Sequence, residues 1–350
     1  GWSPTEIAGA VTFAGVLAGL GSPLVGLLAD RYSPRSLMSI GVLVLAASFL
    51  LIAASQEVWH LYLGYMLARA VAQNLVSGVV PRVVVVNWFR RMRGRAIGLT
   101  GTAHPIGTFA AGPTALLILS AGLSWRWVWV IMGVVVLLVA LLPTVLIIRR
   151  TPGEKGLRPD GDSDTDDMNQ SRPSAQALAE VSWTLGQAAR TPSFALIMAS
   201  ILLTNFGGGG LPFHLPQYYE SQGMASVVGV AAVSMFAISG ALANTLWGFL
   251  AEHFSERYLG IFTMILGAVL AFGLQFVSHP VPAVAYGALL GVAARGEGSI
   301  LMLLIANYYG VRSYGVISGM VQTALLVGLA IGPVLSLIHI SEPTRLGMIS

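Results

Sequence analysis

Gly26-Leu27-Leu28-Ala29-Asp30-Arg31-Tyr32-Ser33-Pro34-Arg35 is a short charged loop between two long apolar runs, and a degenerate copy of it returns in the second half of the chain. Gly248-Phe249-Leu250-Ala251-Glu252-His253-Phe254-Ser255-Glu256-Arg257 keeps the Gly, the Leu-Ala pair, the acid, the Ser and the Arg in register, at an offset of 248 − 26 = 222. Asn87-Trp88-Phe89 is answered by Asn307-Tyr308-Tyr309, and Gly112-Pro113 by Gly332-Pro333, both at an offset of 220. Three landmarks at nearly one spacing argue for two homologous halves. So long a period is not that of a solenoid; it is the size of a six-helix membrane half.

Composition agrees with this reading. The chain has 350 residues, 55% hydrophobic and only 10% charged, with a mean hydropathy of +0.76. A soluble domain carries about 25% charged residues, so this chain lacks the polar surface to face water and reads as a membrane protein. It has no cysteine, which excludes disulfides, thiolate metal sites and a cysteine nucleophile. The net charge is +4, but the basic residues, all Arg except Lys155, sit in short loops between apolar runs. That placement speaks against a nucleic-acid partner and for the lipid bilayer.

Apolar runs long enough to span lie at roughly 5–28, 36–55, 59–87, 96–121, 126–148, 193–218, 225–250, 259–277, 282–307 and 316–334, each near the ~20 residues a crossing needs. The polar stretch Arg149 to Arg190, with Asp160, Asp162, Asp164, Asp166 and Asp167 among Pro, Gly and Ser, reads as a mostly disordered linker. Arg31, Arg35, the Arg90–Arg95 cluster, Arg149, Arg150, Lys155, Arg158, Arg172, Arg190, Arg257 and Arg312 fall in alternate loops. The positive-inside rule makes those loops cytoplasmic, which makes the protein a multi-pass one of the cytoplasmic (inner) membrane.

The repeat also predicts missing pieces. The second half has two helices before its Gly248 loop and the first half has one before Gly26, so the expectation is a twelve-helix parent lacking its first and last helices here. The divisions expected are an N-terminal half at 1–148 (helices 2–6), a cytoplasmic linker at 149–192, a C-terminal half at 193–334 (helices 7–11) and a tail at 335–350. In that tail Leu335-Ser336-Leu337-Ile338-His339-Ile340-Ser341-Glu342-Pro343-Thr344-Arg345 resembles a translated sequencing-library adapter and is expected to be non-native.

The paired loops, central linker and helix count resemble the major facilitator superfamily. The Gly26–Arg35 loop is similar to its motif Gly-x-x-x-Asp-Arg-x-Gly-x-Arg between the second and third helices, with Ser33 where the inner Gly stands and Pro34 after it. Tyr62 to Asn74 carries Arg69 at the Arg of the fourth-helix motif, with Asn74 in place of a Gly. Trp88-Phe89-Arg90-Arg91-Met92-Arg93-Gly94-Arg95-Ala96-Ile97-Gly98 resembles the start of the fifth helix in monocarboxylate porters and oxalate/formate antiporters. Asn307-Tyr308-Tyr309-Gly310 with Ser313-Tyr314-Gly315 does so in the second half. The basic residues those antiporters place in their eighth and eleventh helices have no match, since 225–250 and 316–334 hold no Lys or Arg. The resemblance implies an all-α integral membrane fold of two pseudo-symmetric six-helix halves that rock about a central cavity. It also implies that Asp30 meets the start of the eleventh helix near Tyr314-Gly315 as a gate, steadied by Arg31, Arg35 or Arg95, with Glu252 as a weaker counterpart.

A few residues could carry transport chemistry. Arg69 lies about ten residues, ~15 Å, into its span, close to the middle of a ~30 Å core. A guanidinium there costs at least ~2.5–3.5 kcal/mol to insert, so it faces a polar cavity, an anion or a carboxylate; a structural Arg held by backbone carbonyls is the alternative. Arg295 and Glu297 are two residues apart, roughly 200° around a helix, so they do not pair with each other. Glu297 is the candidate proton carrier, with a structural ion pair as the competing reading. Phe206-Gly207-Gly208-Gly209-Gly210-Leu211-Pro212-Phe213-His214-Leu215-Pro216 cannot form a regular helix, and Asn205, His214 and Tyr218 beside it either touch substrate or sit at the interface. His104, before Pro105, reads as a packed polar residue. No Ser/His/Asp set, no His pair at metal-ligand spacing and no nucleotide motif is present, which points away from an enzyme, a metal, a cofactor or ATP drive.

These residues read as a monomeric secondary transporter exchanging a small organic anion, a mono- or dicarboxylate, or moving it with a proton. Arg69 and Arg295 would be the anion contacts, because Arg grips a carboxylate with two parallel hydrogen bonds. A drug or metabolite exporter on the same fold and a nutrient receptor without flux are the alternatives.

Overall fold

The computed structural model describes the backbone of residues 4–161, 183–208 and 211–341; within these, the side chains of 4, 5, 8, 108, 109, 161, 207, 208, 213, 297 and 330–341 lie outside the description. The described residues form helices and turns, with no strand among them. The first half comprises α1 (Pro4–Arg31), α2 (Pro34–Ala53), α3 (Val58–Met66), α4 (Val79–Trp88), α5 (Arg93–Ser120) and α6 (Trp125–Val136). The second comprises α7 (Pro192–Gly208), α8 (Leu211–Ser221), α9 (Ser226–His253), α10 (Glu256–Gly273), α11 (Pro280–Tyr309) and α12 (Tyr314–Ser341). Among the described residues seven stretches are long and apolar enough to cross a membrane, and two shorter apolar helices cover Pro192–Phe206 and Tyr314–Leu329. α5, at 28 residues, is ~42 Å long and covers another expected crossing. The expected tail at 335–350 falls on residues whose side chains, and from 342 on the backbone, are outside the description.

Three local features differ from a simple reading of the sequence. The run expected as one span over 59–87 is interrupted: α3 passes into a π-helical stretch, Leu67–Gln73, and a single turn, Asn74–Val76, before a break at Ser77-Gly78. The buried Asn74 holds the interruption against α1, its Nδ2 donating to the Ala18 carbonyl at 2.9 Å and its Oδ1 accepting from Ser22 Oγ at 3.2 Å. Of the Gly-rich break expected over 206–216, the described residues Phe206–Gly208 and Leu211–Pro216 are helical. The helix α8 can start at Leu211, because Pro212 falls in a first turn whose amides have no intrahelical acceptor anyway; Gly209 and Gly210 lie outside the described residues. The linker is also ordered at both ends. Pro152–Lys155 and Pro159–Gly161 form 3₁₀ turns, and Leu185–Ala188 a helical turn.

Asp160 explains the first of these ends. It sits at φ 59°, a left-handed conformation that Asp tolerates better than most residues. Its carboxylate accepts the backbone N–H groups of Arg90 (3.0 Å), Arg91 (2.7 Å) and Met92 (3.2 Å), just ahead of α5. Trp183 docks the other end, donating its N–H to the Tyr309 carbonyl at 3.0 Å with its ring edge-on to Tyr309.

The two halves meet along α1 with α12 and along α9 with α5. Both seams are built of small residues four apart, which let backbones approach closely. A Cβ added to Gly26 or Gly319 would run into the backbone of Gly315 or Ser22 on the facing helix. On the other seam, a Cβ on Gly94 or Gly98 would strike Gly248 or Asn244. The repeat relates one seam to the other, with Gly248 standing for Gly26 and Asn244 for Ser22 (244 − 22 = 222). The hydrogen bonds between halves, including Thr323 Oγ1 to the Gly19 carbonyl (2.6 Å) and Thr102 Oγ1 to the Ala241 carbonyl (3.2 Å), lie between the helix midpoints and the Arg-rich ends. Toward the opposite end α5 is largely exposed from Ala103 onward. The structure is therefore closed at its Arg-rich end.

Two outcomes are expected. Gly26→Val should part α1 from α12 and lengthen the distance between spin labels at Tyr32 and Arg312, whereas Gly15→Val, which meets nothing within 4 Å, should leave it unchanged. Asp160→Asn should speed amide hydrogen exchange at Arg90–Met92 about tenfold, the worth of a lost charge-assisted bond; unchanged protection would show that the turn holds without the carboxylate.

Candidate functional site: the cationic centre and the closed end

Three cationic or titratable side chains from three helices converge near the middle of the molecule. The π-helical stretch carries Arg69. The extra residue per turn there rotates its side chain away from the direction a regular helix would give it. Arg69 is half-buried, its Nη1 lies a long 3.5 Å from the Val11 carbonyl, and Tyr65 is within its electrostatic reach. Arg295 comes from α11 in the other half. Its stem lies against α9 at Gly240, where an added Cβ would be 3.0 Å from Arg295 Cγ. His104 on α5 is within electrostatic reach of both Arg295 and Arg69. Neither Arg69 nor Arg295 has a carboxylate partner among the described residues. The Glu297 side chain lies outside the description, so its expected proton-carrier role falls there too.

The other expected contacts are placed elsewhere. Asn205 donates its Nδ2 to the Ile201 carbonyl (2.9 Å) and packs beside Gly328. The Tyr218 hydroxyl bonds the Leu274 carbonyl (3.3 Å) inside the second half's own packing. His214 is half-buried on α8.

At the closed end, the Asp30 carboxylate spans the first turn of α12, accepting the N–H of Gly315 at Oδ1 (2.8 Å) and of Val316 at Oδ2 (2.9 Å). Such amides have no helical acceptor and sit at the positive end of the helix dipole. Arg31, Arg35 and Arg95 do not hold Asp30. Arg150, from the linker, does so by bonding the Asp30 and Arg31 carbonyls; it arrives there because Trp88 Nε1 fixes the Arg149 carbonyl (2.9 Å). Arg95 instead pairs with Glu252 through its Nε and donates its backbone N–H to Glu252 Oε1 at 2.8 Å. Glu252 thus makes the counterpart contact, with one backbone amide where Asp30 takes two. The repeat maps Asp30 to Glu252 (252 − 30 = 222) and Gly315 to Arg95 (315 − 95 = 220), so the same carboxylate-on-helix-start contact is made twice.

Sequence reasoning missed two further cations here. Arg93, 7% exposed, bonds Asn307 Oδ1 across the halves (2.9 Å) and the Phe89 and Val86 carbonyls; Asn307 in turn donates to Glu256. Arg82 on α4 reaches Gln322 Oε1 on α12 at 2.9 Å. It stood inside an expected span, about five residues from its end, where the insertion cost that singled out Arg69 applies in lesser degree.

Two helical halves joined by a linker, closed at one end around paired acid–helix contacts and cationic at the centre, define a membrane transport protein. The family model described as Major Facilitator Superfamily matches residues 1–333, and the chain belongs to that superfamily. It is 24% identical over 343 residues to the oxalate:formate antiporter of Oxalobacter formigenes, covering 95% of this chain and 76% of that one. It is 25% identical to an MFS-type transporter of Gibberella moniliformis (89% and 70% covered) and 24% identical to monocarboxylate transporter 11 of Homo sapiens (90% and 64% covered). Its fold matches the crystal structure of the human organic anion transporter MFSD10 (TETRAN) with a TM-score of 0.68 at 17% identity, covering 95% of this chain and 77% of that one. It matches the proton:xylose symporter XylE with a TM-score of 0.69 at 13% identity, covering 97% and 79%.

Proposed function

We propose that this transporter moves a small organic anion, a mono- or dicarboxylate, across the cytoplasmic (inner) membrane by alternating access, as an exchanger or with a proton. The observation that carries this reading is the pair of half-buried guanidiniums, Arg69 from one half and Arg295 from the other, with no carboxylate between them among the described residues. A guanidinium offers five donors in a planar fork that fits a carboxylate bidentately. A bound anion would offset the cost of keeping two positive groups at membrane depth, and its two ends would bridge the halves. The printed names of two relatives, an oxalate:formate antiporter and a monocarboxylate transporter, support the same substrate class.

In this reading the Arg-rich end is cytoplasmic, and Asp30 with Arg150, and Glu252 with Arg95, form its gate. Each carboxylate gains up to ~2 kcal/mol at a partly buried helix start, less for the Glu252–Arg95 pair, whose Arg is 49% exposed and screened by solvent. Both contacts exist only while that end is closed, so they favour the outward-open state.

Three outcomes follow from this reading. In proteoliposomes, wild-type protein should take up radiolabelled oxalate, formate or lactate. Arg69→Ala and Arg295→Ala should each cut that uptake at least about tenfold, and Lys at either position should restore little, since the bidentate fork is lost; near-normal uptake in Arg69→Ala protein would make Arg69 structural. Asp30→Asn should raise the inward-open population roughly 5–30-fold, for a loss of ~1–2 kcal/mol, with Glu252→Gln acting in the same direction. Spin-label distances across the cytoplasmic ends read this, and an unchanged distribution in both variants removes the gate. A lone cysteine at Gln222 should react with an impermeant thiol reagent in intact cells and one at Arg257 should not; the reverse pattern inverts the orientation.

A further inference from the structure

We propose that Arg82 is a second anion seat on the transport path, held by the Gln322 amide oxygen while the Arg-rich end is closed and taken over by a substrate carboxylate when it opens. The proposal rests on the organic-anion reading above and adds a site to it. Its first support is position. Arg82 Nη1 lies 3.7 Å from the sulfur of Met302, and the two residues are repeat mates, since 302 − 82 = 220. Mates of a two-fold repeat touch only on the pseudo-symmetry axis, and at the closed end that axis runs through the middle of the gate. Its second support is chemistry. The guanidinium has five donors and stays protonated, yet its acceptors are one neutral amide oxygen at 2.9 Å and one thioether. Tyr314, beside it, supplies only electrostatic contact. No carboxylate partners Arg82 among the described residues. Gln322, Met302 and Tyr314 are themselves buried, at 7%, 4% and 1% exposure.

The geometry then sets what opening does. Arg82 belongs to the first half, and Gln322 and Met302 belong to the second. Any motion that parts the halves at this end breaks the Arg82–Gln322 bond and uncovers a cation that had only neutral company. An anion descending from Arg69 and Arg295 meets it there. The Gln322 carbonyl oxygen stands in the place of one carboxylate oxygen, so the closed gate carries a neutral mimic of the substrate's polar end. A mere latch would be satisfied by the amide; an anion seat is what a fork with unmatched donors prefers.

The chain has no cysteine, so one introduced thiol reports cleanly. Gln322→Cys puts a thiol where the amide stood. In nanodiscs, with both faces accessible, it should react with sulfonatoethyl methanethiosulfonate about tenfold faster than with the trimethylammonium analogue, after correction for their rates with a free thiol, as one charged contact implies. Arg82→Gln in that background should erase the preference and Arg82→Lys should keep most of it. A preference that is absent, or that survives Arg82→Gln, overturns the proposal, and so does failure of the thiol to react with either reagent. Carboxylate uptake is read separately: no flux together with an Arg82-dependent preference refutes the substrate class and leaves the seat standing. Uptake kinetics separate the seat from a latch. Arg82→Gln should raise the KM for oxalate at the Arg-rich face about tenfold, whereas loss of a latch would lower it by populating the open state.

Discussion

A carboxylate laid on the first-turn amides of a helix from the other half is the contact on which the closed end depends. It is made by Asp30 on Gly315 and Val316 and again by Glu252 on Arg95. Inside a membrane, helices gain little from burying apolar surface against one another, because lipid is as apolar as the partner. What can hold two halves together at one end is close backbone packing and a few polar contacts. The glycine seams around Gly26 and Gly248 supply the first, and the acid–helix pairs supply the second. Both are weak enough to be broken in a transport cycle.

The distribution of charge follows the same logic. Acids appear at the Arg-rich end already engaged: Asp160 on the turn before α5, Asp30 on α12, Glu252 on Arg95, and Glu256 on Asn307. Toward the centre the cations Arg82, Arg69 and Arg295 lack such partners among the described residues. In a low-dielectric interior this arrangement is costly. Among the described residues the structure thus grades from engaged acids at the Arg-rich end to cations without a carboxylate partner at the centre.

Much of this was legible beforehand, and for identifiable reasons. Arg69 stood out because one charge in an apolar run violates the composition around it. The pairing of Gly26 with Gly248 was visible because a duplicated fold keeps backbone-critical glycines. Asp30 was expected at Tyr314-Gly315 through the family resemblance, and its carboxylate is found on the amides of Gly315 and Val316. Other features had no local signal. Glu252 has lost the Asp-Arg context of the first copy, yet its backbone position keeps it on the facing helix. Arg150 replaces Arg31 and Arg35 at Asp30 because Trp88 folds the linker back. Arg82 carried a weaker form of the signal of Arg69, because it lies nearer the end of its span, and its nearness to the Arg90–Arg95 cluster hid it.

The sequence by itself determined the membrane class, the two-fold repeat, the long apolar runs and the alternation of Arg-rich loops. These follow from hydropathy, charge and helical length, which are summed along the chain and need no partner. Only the tertiary structure decided which end is closed, that Arg69 and Arg295 share His104 as a neighbour, that Glu252 repeats the contact of Asp30, and that Arg82 faces Gln322. Most of those facts rest on contacts between the halves, such as Thr102 with Ala241, 139 positions apart, and Thr323 with Gly19, 304 apart, whose distances and orientations are set by how two rigid halves pack rather than by any pattern along one helix.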